Sequence, residues 1–393
     1  MANVRQGTVL PAHRLIFIEM LIPRPAVFAA SVLFLFLVAS LRVAMAIGSG
    51  QIFKVGVTTR AFVPREPYNW RGSRTHALIT TIWYPAAESS IEKPQAIGAP
   101  GSPLFLAGDA APEAKPVRSP SRFPLVLLSH GTGSASMQLA WLGEYLASRG
   151  FLVAAVNHPG NNALEPYTIQ GFVLWWLRAR DLSVVLDDIL TDRTFGPRID
   201  QSRIGAAGFS LGGYTVIEIA GAVSNPQALI DYCNAGSPRS RGTCNIHEFP
   251  GLIAKTENLL KTDPKFAAAF AEGSKSYRDP RIRAIFAIAP VLGPAFSPQA
   301  LGKISIPVEI VAGAADPVAP PIDNAEYFAR HISGARLVLL AGGVAHYTFL
   351  EPCSPVGDKQ LPVYCSDAPG ISRLRIHDKV AAQVARFFAL NLR

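Results

Sequence analysis

The sequence predicts an α/β fold, in which a mostly parallel sheet carries helices on both faces and one insertion forms a cap. Three observations predict it. Short, continuously apolar runs recur along the chain, as is typical of strands buried on both faces. Segments in which apolar residues recur at helical spacing alternate with these runs. Several runs lead into glycine-rich loops, and loops at the carboxyl ends of parallel strands carry the chemistry of such folds.

The elements follow from these patterns in chain order. Two runs of β-branched and aromatic residues, 51–58 and 77–84, predict the first strands. Residues 85–123 are rich in Pro, Ala, Gly and Ser and predict a surface excursion without a domain of its own. From Pro124 onward, buried strands alternate with helices. The predicted strands are 124–130, 150–160, 203–208, 282–290, 306–313 and 335–340. The predicted helices are 137–149, 174–193, 211–222, 322–331 and 376–390.

One long insertion interrupts this alternation. Residues 223–281 separate a predicted helix from the next strand, at a point where a cap over an active site would lie. The predicted organisation is therefore a core over 124–393 with a cap at 223–281. Residues 47–123, with the first strands and the surface excursion, precede that core.

The N-terminus predicts an export signal. Residues 26–41 are 16 residues without a charge, Arg24 precedes them, and Ala44-Met45-Ala46 follows as a small-x-small cleavage site. This run is shorter than the roughly 20 apolar residues that a membrane span needs. We therefore predict a signal peptide over residues 1–46, with Met20 as an alternative start, and a periplasmic or secreted protein. An uncleaved signal that anchors the protein to the membrane is the alternative.

Four cysteines follow the predicted cleavage site in two close pairs, Cys233/Cys244 and Cys353/Cys365. An even count in an oxidising compartment predicts two disulfides. Three connectivities are open, of which nearest-neighbour pairing is the simplest, and free buried thiols are the alternative. No Cys-x-x-Cys motif or histidine cluster accompanies either pair, so no metal site is predicted.

Composition and charge exclude two classes of protein. Of the 393 residues, 49% are apolar and 17% charged, which excludes a disordered chain. The net charge of +9 favours acidic surfaces in general. Lysines and arginines are scattered, however, and no aromatic stripe interleaves with them, so no nucleic-acid partner is predicted.

A Gly-x-Ser-x-Gly motif predicts the nucleophile. Ser210 stands between the predicted strand 203–208 and a predicted helix, and a serine on such a tight turn presents its hydroxyl above the sheet edge. Gly208 and Gly212 let the strand and the helix approach closely, and the helix N-terminus adds a positive dipole end. A helix N-cap serine is the alternative.

Such a serine needs a base, because its hydroxyl is a weak nucleophile by itself. In folds of this kind the chain order is serine, acid, histidine. His346 lies in a glycine-rich loop directly after a predicted strand and is the predicted base. Asp316, just past the strand 306–313, is the predicted acid, whereas Asp323 is expected to cap a helix. The remaining downstream histidines, placed less favourably, are His247, His331 and His377.

An oxyanion hole is the third requirement of acyl transfer. The N–H of Leu211, directly after the nucleophile, is one predicted donor. The other is the N–H of Thr132, whose neighbours Gly131 and Gly133 let the loop after strand 124–130 turn its N–H groups inward. The side chain of His130 is expected to be structural.

Several further residues have structural interpretations. Trp175 and Trp176 are expected in the core, although they also fit an acyl pocket. Arg180 and Asp181 are expected to form a local ion pair or a network across their helix. His158 precedes the nucleophile, so that using it as the base would break the chain order.

Four stretches together carry a family resemblance: residues 124–160, "RIGAAGFSLGG", "GAADPVAP" and "GGVAHYTFL". Their order resembles the dienelactone-hydrolase-like branch of the α/β-hydrolase family and the platelet-activating-factor acetylhydrolases, over about residues 75–390. The resemblance implies an α/β-hydrolase fold, a serine nucleophile and ester substrates without any metal or organic cofactor. It assigns the triad to Ser210, Asp316 and His346, and the oxyanion hole to Thr132 and Leu211.

The chain also departs from these relatives. Phe209 stands where relatives of this type usually have histidine. Dienelactone hydrolases proper use a cysteine nucleophile and lack this export signal, so dienelactone is a poor candidate substrate.

The sequence thus predicts an exported serine esterase that acts on esters of short-to-medium acyl chains. The resemblance suggests a truncated or oxidised phospholipid, so the expected partner is a small-molecule or lipid ester, with contact to a membrane surface. The oligomeric state is not predicted. A peptidase or amidase on the same fold is one alternative. A catalytically inactive binding protein is another, although the complete triad argues against it.

Overall fold

Ten strands form one continuous sheet in the protein, seen in a computed structural model that describes residues 51–393. The strand order is β10-β9-β8-β7-β5-β6-β2-β1-β4-β3. The strands are β1 Lys54–Phe62, β2 Leu78–Ala86, β3 Lys93–Ala99, β4 Ser102–Pro112, β5 Phe123–Ser129, β6 Leu152–Val156, β7 Ile199–Phe209, β8 Ala284–Ile288, β9 Val308–Gly313 and β10 Arg336–Leu340. Strands β5 to β10 pair in parallel, whereas β2 joins β6, β1 joins β2 and β3 joins β4 in antiparallel.

Helices cover both faces of this sheet, as the alternating pattern predicts. The helices are α1 Ala140–Ala147, α2 Ile169–Val173, α3 Leu177–Thr191, α4 Leu211–Ile219, α5 Pro226–Asn234, α6 Arg241–Cys244, α7 Leu252–Thr262, α8 Pro264–Ala271, α9 Pro298–Leu301, α10 Ala325–His331, α11 Pro355–Gln360, α12 Pro362–Cys365 and α13 Arg373–Asn391. Strand β5 is buried along its whole length. Its alternate residues face two separate cores, one with Leu125 against α3 and α4, the other with Val126 against α1 and α13.

The prediction for residues 85–123 is wrong in one respect. This segment contains the strands β3 and β4, which extend the sheet beyond β1. Their proline and glycine content resembles that of a loop. Strand β3 is the edge strand of the sheet, where proline is tolerated because the backbone N–H that it lacks is not needed on the open side. The pairing of β3 with β4 is correspondingly irregular, with register shifts after Pro94 and after Ile97.

The insertion at 223–281 consists largely of four helices, α5 to α8. Leu229, Ile246 and Leu252 from this insertion line a cavity above the carboxyl ends of the strands. This insertion, which we call the cap after its predicted role, therefore forms part of the cavity wall.

Both cysteine pairs form disulfides with nearest-neighbour connectivity, Cys233–Cys244 and Cys353–Cys365. The first joins the end of α5 to α6, and the second joins the segment before α11 to α12. Within residues 51–393, no helix combines the length and the apolar character needed to cross a membrane. The predicted signal over residues 1–46 lies outside the described residues.

Candidate active site

Ser210 occupies a sharp turn between β7 and α4. Its backbone φ is 56° and its ψ is −117°, a conformation that residues other than glycine rarely adopt. A side chain at Gly208 or Gly212 would not fit this turn, since a Cβ there would lie 2.2 Å from the Gly212 carbonyl oxygen or 1.8 Å from the Ser129 carbonyl oxygen. The turn therefore holds the serine hydroxyl above the sheet edge, as the motif predicts.

The predicted base and acid lie beside this serine. His346 Nε2 is 2.8 Å from Ser210 Oγ, and His346 Nδ1 is 2.7 Å from Asp316 Oδ2. The other oxygen of Asp316 accepts hydrogen bonds from the backbone N–H groups of Val318 (2.9 Å) and Ala319 (2.7 Å). Asp316 is therefore held in one orientation, and it in turn fixes the imidazole of His346.

Parallel pairing explains how distant residues meet. Ser210 follows β7, Asp316 follows β9, and His346 follows β10. Strands β7 to β10 are parallel neighbours, so their carboxyl ends lie along the same edge of the sheet. Ser210 and His346 are 136 residues apart in sequence and still share a hydrogen bond.

The predicted oxyanion loop, residues 131–133, follows β5 and passes close to the serine. A Cβ built on Gly131 would lie 3.3 Å from Ser210 Cβ. The backbone N–H groups of Thr132 and Leu211 meet no acceptor among the hydrogen bonds of residues 51–393. Both therefore remain available to an oxygen bound above Ser210.

Hydrogen bonds from neighbouring elements hold the oxyanion loop. The N–H of Gly133 donates to Asn161 Oδ1 (2.6 Å), and the Tyr167 hydroxyl donates to the Gly133 carbonyl (2.7 Å). His130 Nε2 accepts from the backbone N–H of His158 (3.1 Å), so its Nδ1 must donate to the Gly131 carbonyl (2.7 Å). Burial, with Arg178 and His158 nearby, lowers the pKa of His130 well below its usual value, which keeps this neutral tautomer. The structural role predicted for His130 fits these contacts.

A second Ser–His–Asp cluster lies beneath the oxyanion loop. We call it the buried cluster, and it consists of Ser129, His158 and Asp181. Ser129 Oγ is 2.9 Å from His158 Nε2, and His158 Nδ1 is 2.7 Å from Asp181 Oδ2. Arg71 binds both oxygens of Asp181, at 2.8 and 2.9 Å. No member of this cluster lines the cavity at the sheet edge.

The prediction of a local ion pair between Arg180 and Asp181 is wrong, because Asp181 has other partners. Adjacent residues on a helix point in different directions, and Arg180 is exposed whereas Asp181 is fully buried. The alternative prediction is a network across the helix. Such a network is present, because Asp181 binds Arg71 and His158. Burial alone would raise the pKa of Asp181, but Arg71 and His158 outweigh it and lower the pKa to about 2.

A cavity of about 1030 Å³ opens onto Ser210 and His346. Its walls are mostly apolar and come from the cap, from α2 and from the β3–β4 hairpin that the sequence did not predict. Trp175 lines this cavity, whereas Trp176 is buried in the core. Representative wall residues are Ile97, Phe105, Phe172, Leu229, Leu252 and Leu292.

The remaining candidates have other roles. His377 Nε2 is 2.9 Å from the carbonyl of Thr348, so it supports the short turn that begins at His346. Asp323 caps no helix with its side chain and accepts instead from the Tyr232 hydroxyl (3.2 Å). Phe209 packs on the base, with its ring centroid 4.9 Å from that of His346.

Two of the candidate histidines downstream of Ser210 remain. His331 lies at the end of α10, and its Nδ1 is 2.9 Å from the carbonyl of Tyr327. His247 lines the cavity from the cap. Neither takes part in the hydrogen bonds of Ser210 or Asp316.

Comparison with known proteins agrees with this architecture. Residues 106–173 match the family model described as platelet-activating factor acetylhydrolase, isoform II. A solved ferulic acid esterase from Streptomyces cinnamoneus superimposes with a TM-score of 0.55 at 24% identity, over 88% of this chain and 92% of that chain. Together with the sheet order and the turn at Ser210, this likeness defines an α/β-hydrolase fold.

The sequence relatives are similar over shorter stretches. Cutinase est1 of Thermobifida alba is 33% identical over 105 residues, which are 26% of this chain and 32% of the relative. A bis(hydroxyethyl) terephthalate hydrolase of Streptomyces coelicolor is 27% identical over 42% of this chain and 48% of the relative. A platelet-activating factor acetylhydrolase of Canis lupus familiaris is 33% identical over 22% of this chain and 21% of the relative. The chain thus spans less than half the length of these curated relatives. Its resemblance to esterases and to a platelet-activating factor acetylhydrolase is confirmed as a similarity over these stretches.

Proposed function

We propose that the protein is a serine hydrolase that cleaves carboxylic esters. The observation that carries this proposal is the continuous set of hydrogen bonds from Asp316 through His346 to Ser210, at the floor of an apolar cavity. Relatives named as an esterase, an acetylhydrolase and a terephthalate hydrolase favour the same chemistry.

In the proposed reaction, Ser210 Oγ attacks the ester carbonyl while His346 Nε2 takes its proton. Asp316 holds the imidazole and stabilises its charged form. The carbonyl oxygen becomes an oxyanion, which the N–H groups of Thr132 and Leu211 bind. The alcohol leaves with the proton from His346, and water then hydrolyses the acyl-enzyme by the same steps. No step calls on a metal or an organic cofactor.

The cavity bears on the substrate class. Small-molecule sites usually measure about 300–1,000 Å³, so a cavity of about 1030 Å³ holds a short-to-medium acyl chain together with its alcohol. Leu164 and Val363 line the cavity and are exposed by 66% and 53%. An apolar rim of this kind favours contact with a lipid surface.

We also propose that the protein is exported. The signal predicted over residues 1–46 and the two disulfides both fit an oxidising compartment. Cell fractionation followed by N-terminal sequencing tests this proposal. A mature chain that begins near residue 47 in the exported fraction is expected, and a full-length chain in the cytoplasmic fraction would contradict it.

Active-site labelling tests the hydrolase. A fluorophosphonate should label the purified protein and leave Ser210→Ala unlabelled. Nitrophenyl esters of increasing chain length should be hydrolysed faster than peptide anilides. Turnover of anilides in excess of esters would favour the peptidase or amidase alternative, and absence of both labelling and turnover would favour an inactive binding protein.

A further inference from the structure

The catalytic cavity has a local charge opposite to that of the whole chain. Glu248 is the single acidic residue among the described residues that line it, and no lysine or arginine lines it. Glu248 is half-buried in the cap loop between α6 and α7. Among residues 51–393, no ion pair includes its carboxylate. The cavity therefore offers an unpaired negative charge.

Three tyrosines lie near this carboxylate: Tyr167, Tyr347 and Tyr364. The Tyr364 hydroxyl donates to Glu248 Oε1 at 3.0 Å, and the ring centroids of Tyr347 and Tyr364 lie 4.7 Å apart. A Cβ built on Gly133 would lie 2.9 Å from the Tyr167 hydroxyl and 3.2 Å from Glu248 Cγ. Burial, followed by the charge of Glu248, raises the pKa of all three tyrosines, so that they stay neutral.

The two disulfides brace the segments that meet here. Cys365 directly follows Tyr364, and its bond to Cys353 anchors α12. Cys244 lies four residues before Glu248, and its bond to Cys233 anchors the start of the cap loop. The contact between Tyr364 and Glu248 is therefore held from both sides.

A carboxylate beside tyrosine rings is the chemistry that binds an alkylammonium group, because the ring faces and the carboxylate both attract a cation. Tyr347 directly follows His346, and their ring centroids are 5.4 Å apart. The departing alcohol oxygen must come within hydrogen-bond reach of His346 Nε2 to receive its proton. A group held beside Tyr347 therefore belongs to the alcohol part of the ester.

We propose that Glu248, Tyr167, Tyr347 and Tyr364 form a subsite for an alkylammonium group on the alcohol part of the substrate. This subsite rests on the ester hydrolysis proposed above. The acyl part then lies along the apolar wall that includes Phe172, Trp175 and Leu229.

Two esters of equal shape test the subsite. Acetylthiocholine and 3,3-dimethylbutyl thioacetate differ in having a charged nitrogen or a neutral carbon at one position. The wild-type protein should prefer the cationic ester by about tenfold in kcat/KM. Glu248→Gln keeps an acceptor for the Tyr364 hydroxyl but removes the charge, so the ratio between the two esters should fall to about one. Asp231→Asn removes a charge from an exposed residue of α5 and should leave the wild-type ratio.

Two further measurements make the outcome independent of how Glu248→Gln folds. Tetramethylammonium chloride, compared with sodium chloride at equal ionic strength, should competitively inhibit hydrolysis of the neutral ester by the wild-type protein. Raising the sodium chloride concentration should lower the preference of the wild-type protein for the cationic ester, because salt screens the carboxylate.

The subsite is overturned if the wild-type protein hydrolyses the two esters with a kcat/KM ratio near one, or if folded Glu248→Gln keeps the wild-type ratio. Hydrolysis of the neutral ester in either case leaves the proposed function intact. If neither thioester is hydrolysed and Ser210 resists labelling, the proposed hydrolase fails, and the subsite fails with it.

Discussion

Two Ser–His–Asp clusters in this molecule have nearly equal hydrogen-bond lengths and different surroundings. The cavity cluster consists of Ser210, His346 and Asp316. Its two bonds measure 2.8 and 2.7 Å, and those of the buried cluster measure 2.9 and 2.7 Å. Hydrogen-bond geometry alone therefore does not distinguish a reactive serine from a structural one.

Access and backbone conformation separate the two serines. Ser129 is the last residue of the regular strand β5 and is fully buried, whereas Ser210 has a φ of 56° and lines the cavity. An ester carbonyl can therefore approach Ser210 and has no path to Ser129.

The electrostatics of His158 also separate the buried cluster from a catalytic role. Burial, together with Arg178, lowers the pKa of His158 to about 3 despite the bond to Asp181. A general base works best when its pKa lies near the working pH, so His158 is too weak a base for this chemistry. Its hydrogen bonds instead connect the loop after β6 to the end of β5 and to α3, and Asp181 extends this network to the loop that carries Arg71.

The largest contrast is expected between the two serines. Ser210→Ala should lower kcat by about a millionfold, because it removes the nucleophile. Ser129→Ala should retain fluorophosphonate labelling at Ser210 and most of the turnover, because Ser129 never meets substrate. Hydrolysis of a nitrophenyl butyrate measures both. Loss of labelling in folded Ser129→Ala would contradict the conclusion that only the cavity cluster is reactive.

The second-largest contrast is expected between the two aspartates, Asp316 and Asp181, which should act on kcat and on stability, respectively. Asp316→Asn should lower kcat by about 10⁴-fold, because the neutral side chain favours the wrong tautomer of His346. The free energy of unfolding should change little. Steady-state kinetics and urea unfolding of the same sample provide both quantities. A kcat within tenfold of the wild-type value would remove Asp316 from the proposed triad.

Asp181→Asn should act mainly on stability. The change leaves Arg71, fully buried, without its counter-charge, which should lower the free energy of unfolding by about 3–5 kcal/mol. Urea unfolding followed by circular dichroism measures the loss. Unfolding at the wild-type urea concentration would show that the buried cluster contributes little to the fold.

The last prediction concerns pH, where the change in stability is spread over several pH units. The folded pKa of His158, about 3, lies below its unfolded value near 6.5, so the unfolded chain binds more protons between these values. Stability from this group is full above pH 6.5 and is lost as the pH falls towards 3, by at most about 1.4 kcal/mol per pH unit. Burial raises the pKa of Glu144 and Glu218 to about 8, which gives the opposite slope between about pH 4.5 and 8.

Comparing the pH dependence of stability in the wild-type protein and in His158→Asn separates the contribution of the histidine from that of these carboxyl groups. Urea unfolding at several pH values between 3 and 7 should show the wild-type protein losing stability faster than the variant as the pH falls. Parallel curves for the two proteins would mean that His158 titrates alike in the folded and unfolded chain.

Local patterns were enough to predict the cavity cluster. Ser210, Asp316 and His346 each follow a strand in the parallel part of the sheet, and parallel pairing brings the ends of such strands together. The buried cluster was not predicted, because Ser129, His158 and Asp181 come from three separate segments in the order serine, histidine, acid. Arg71, which binds Asp181, lies in an irregular loop 110 residues before it. The β3–β4 hairpin was missed because its proline and glycine content resembles that of a loop.

The sequence by itself determined the fold class, the nucleophile turn and the positions of the acid and the base, because each is encoded in the pattern of one strand and the loop that follows it. Only the tertiary structure decided which of two Ser–His–Asp clusters meets the cavity, and that Glu248, without an ion-pair partner among residues 51–393, lies near three tyrosines. Access and local charge arise from elements far apart in the chain, and no local pattern encodes them.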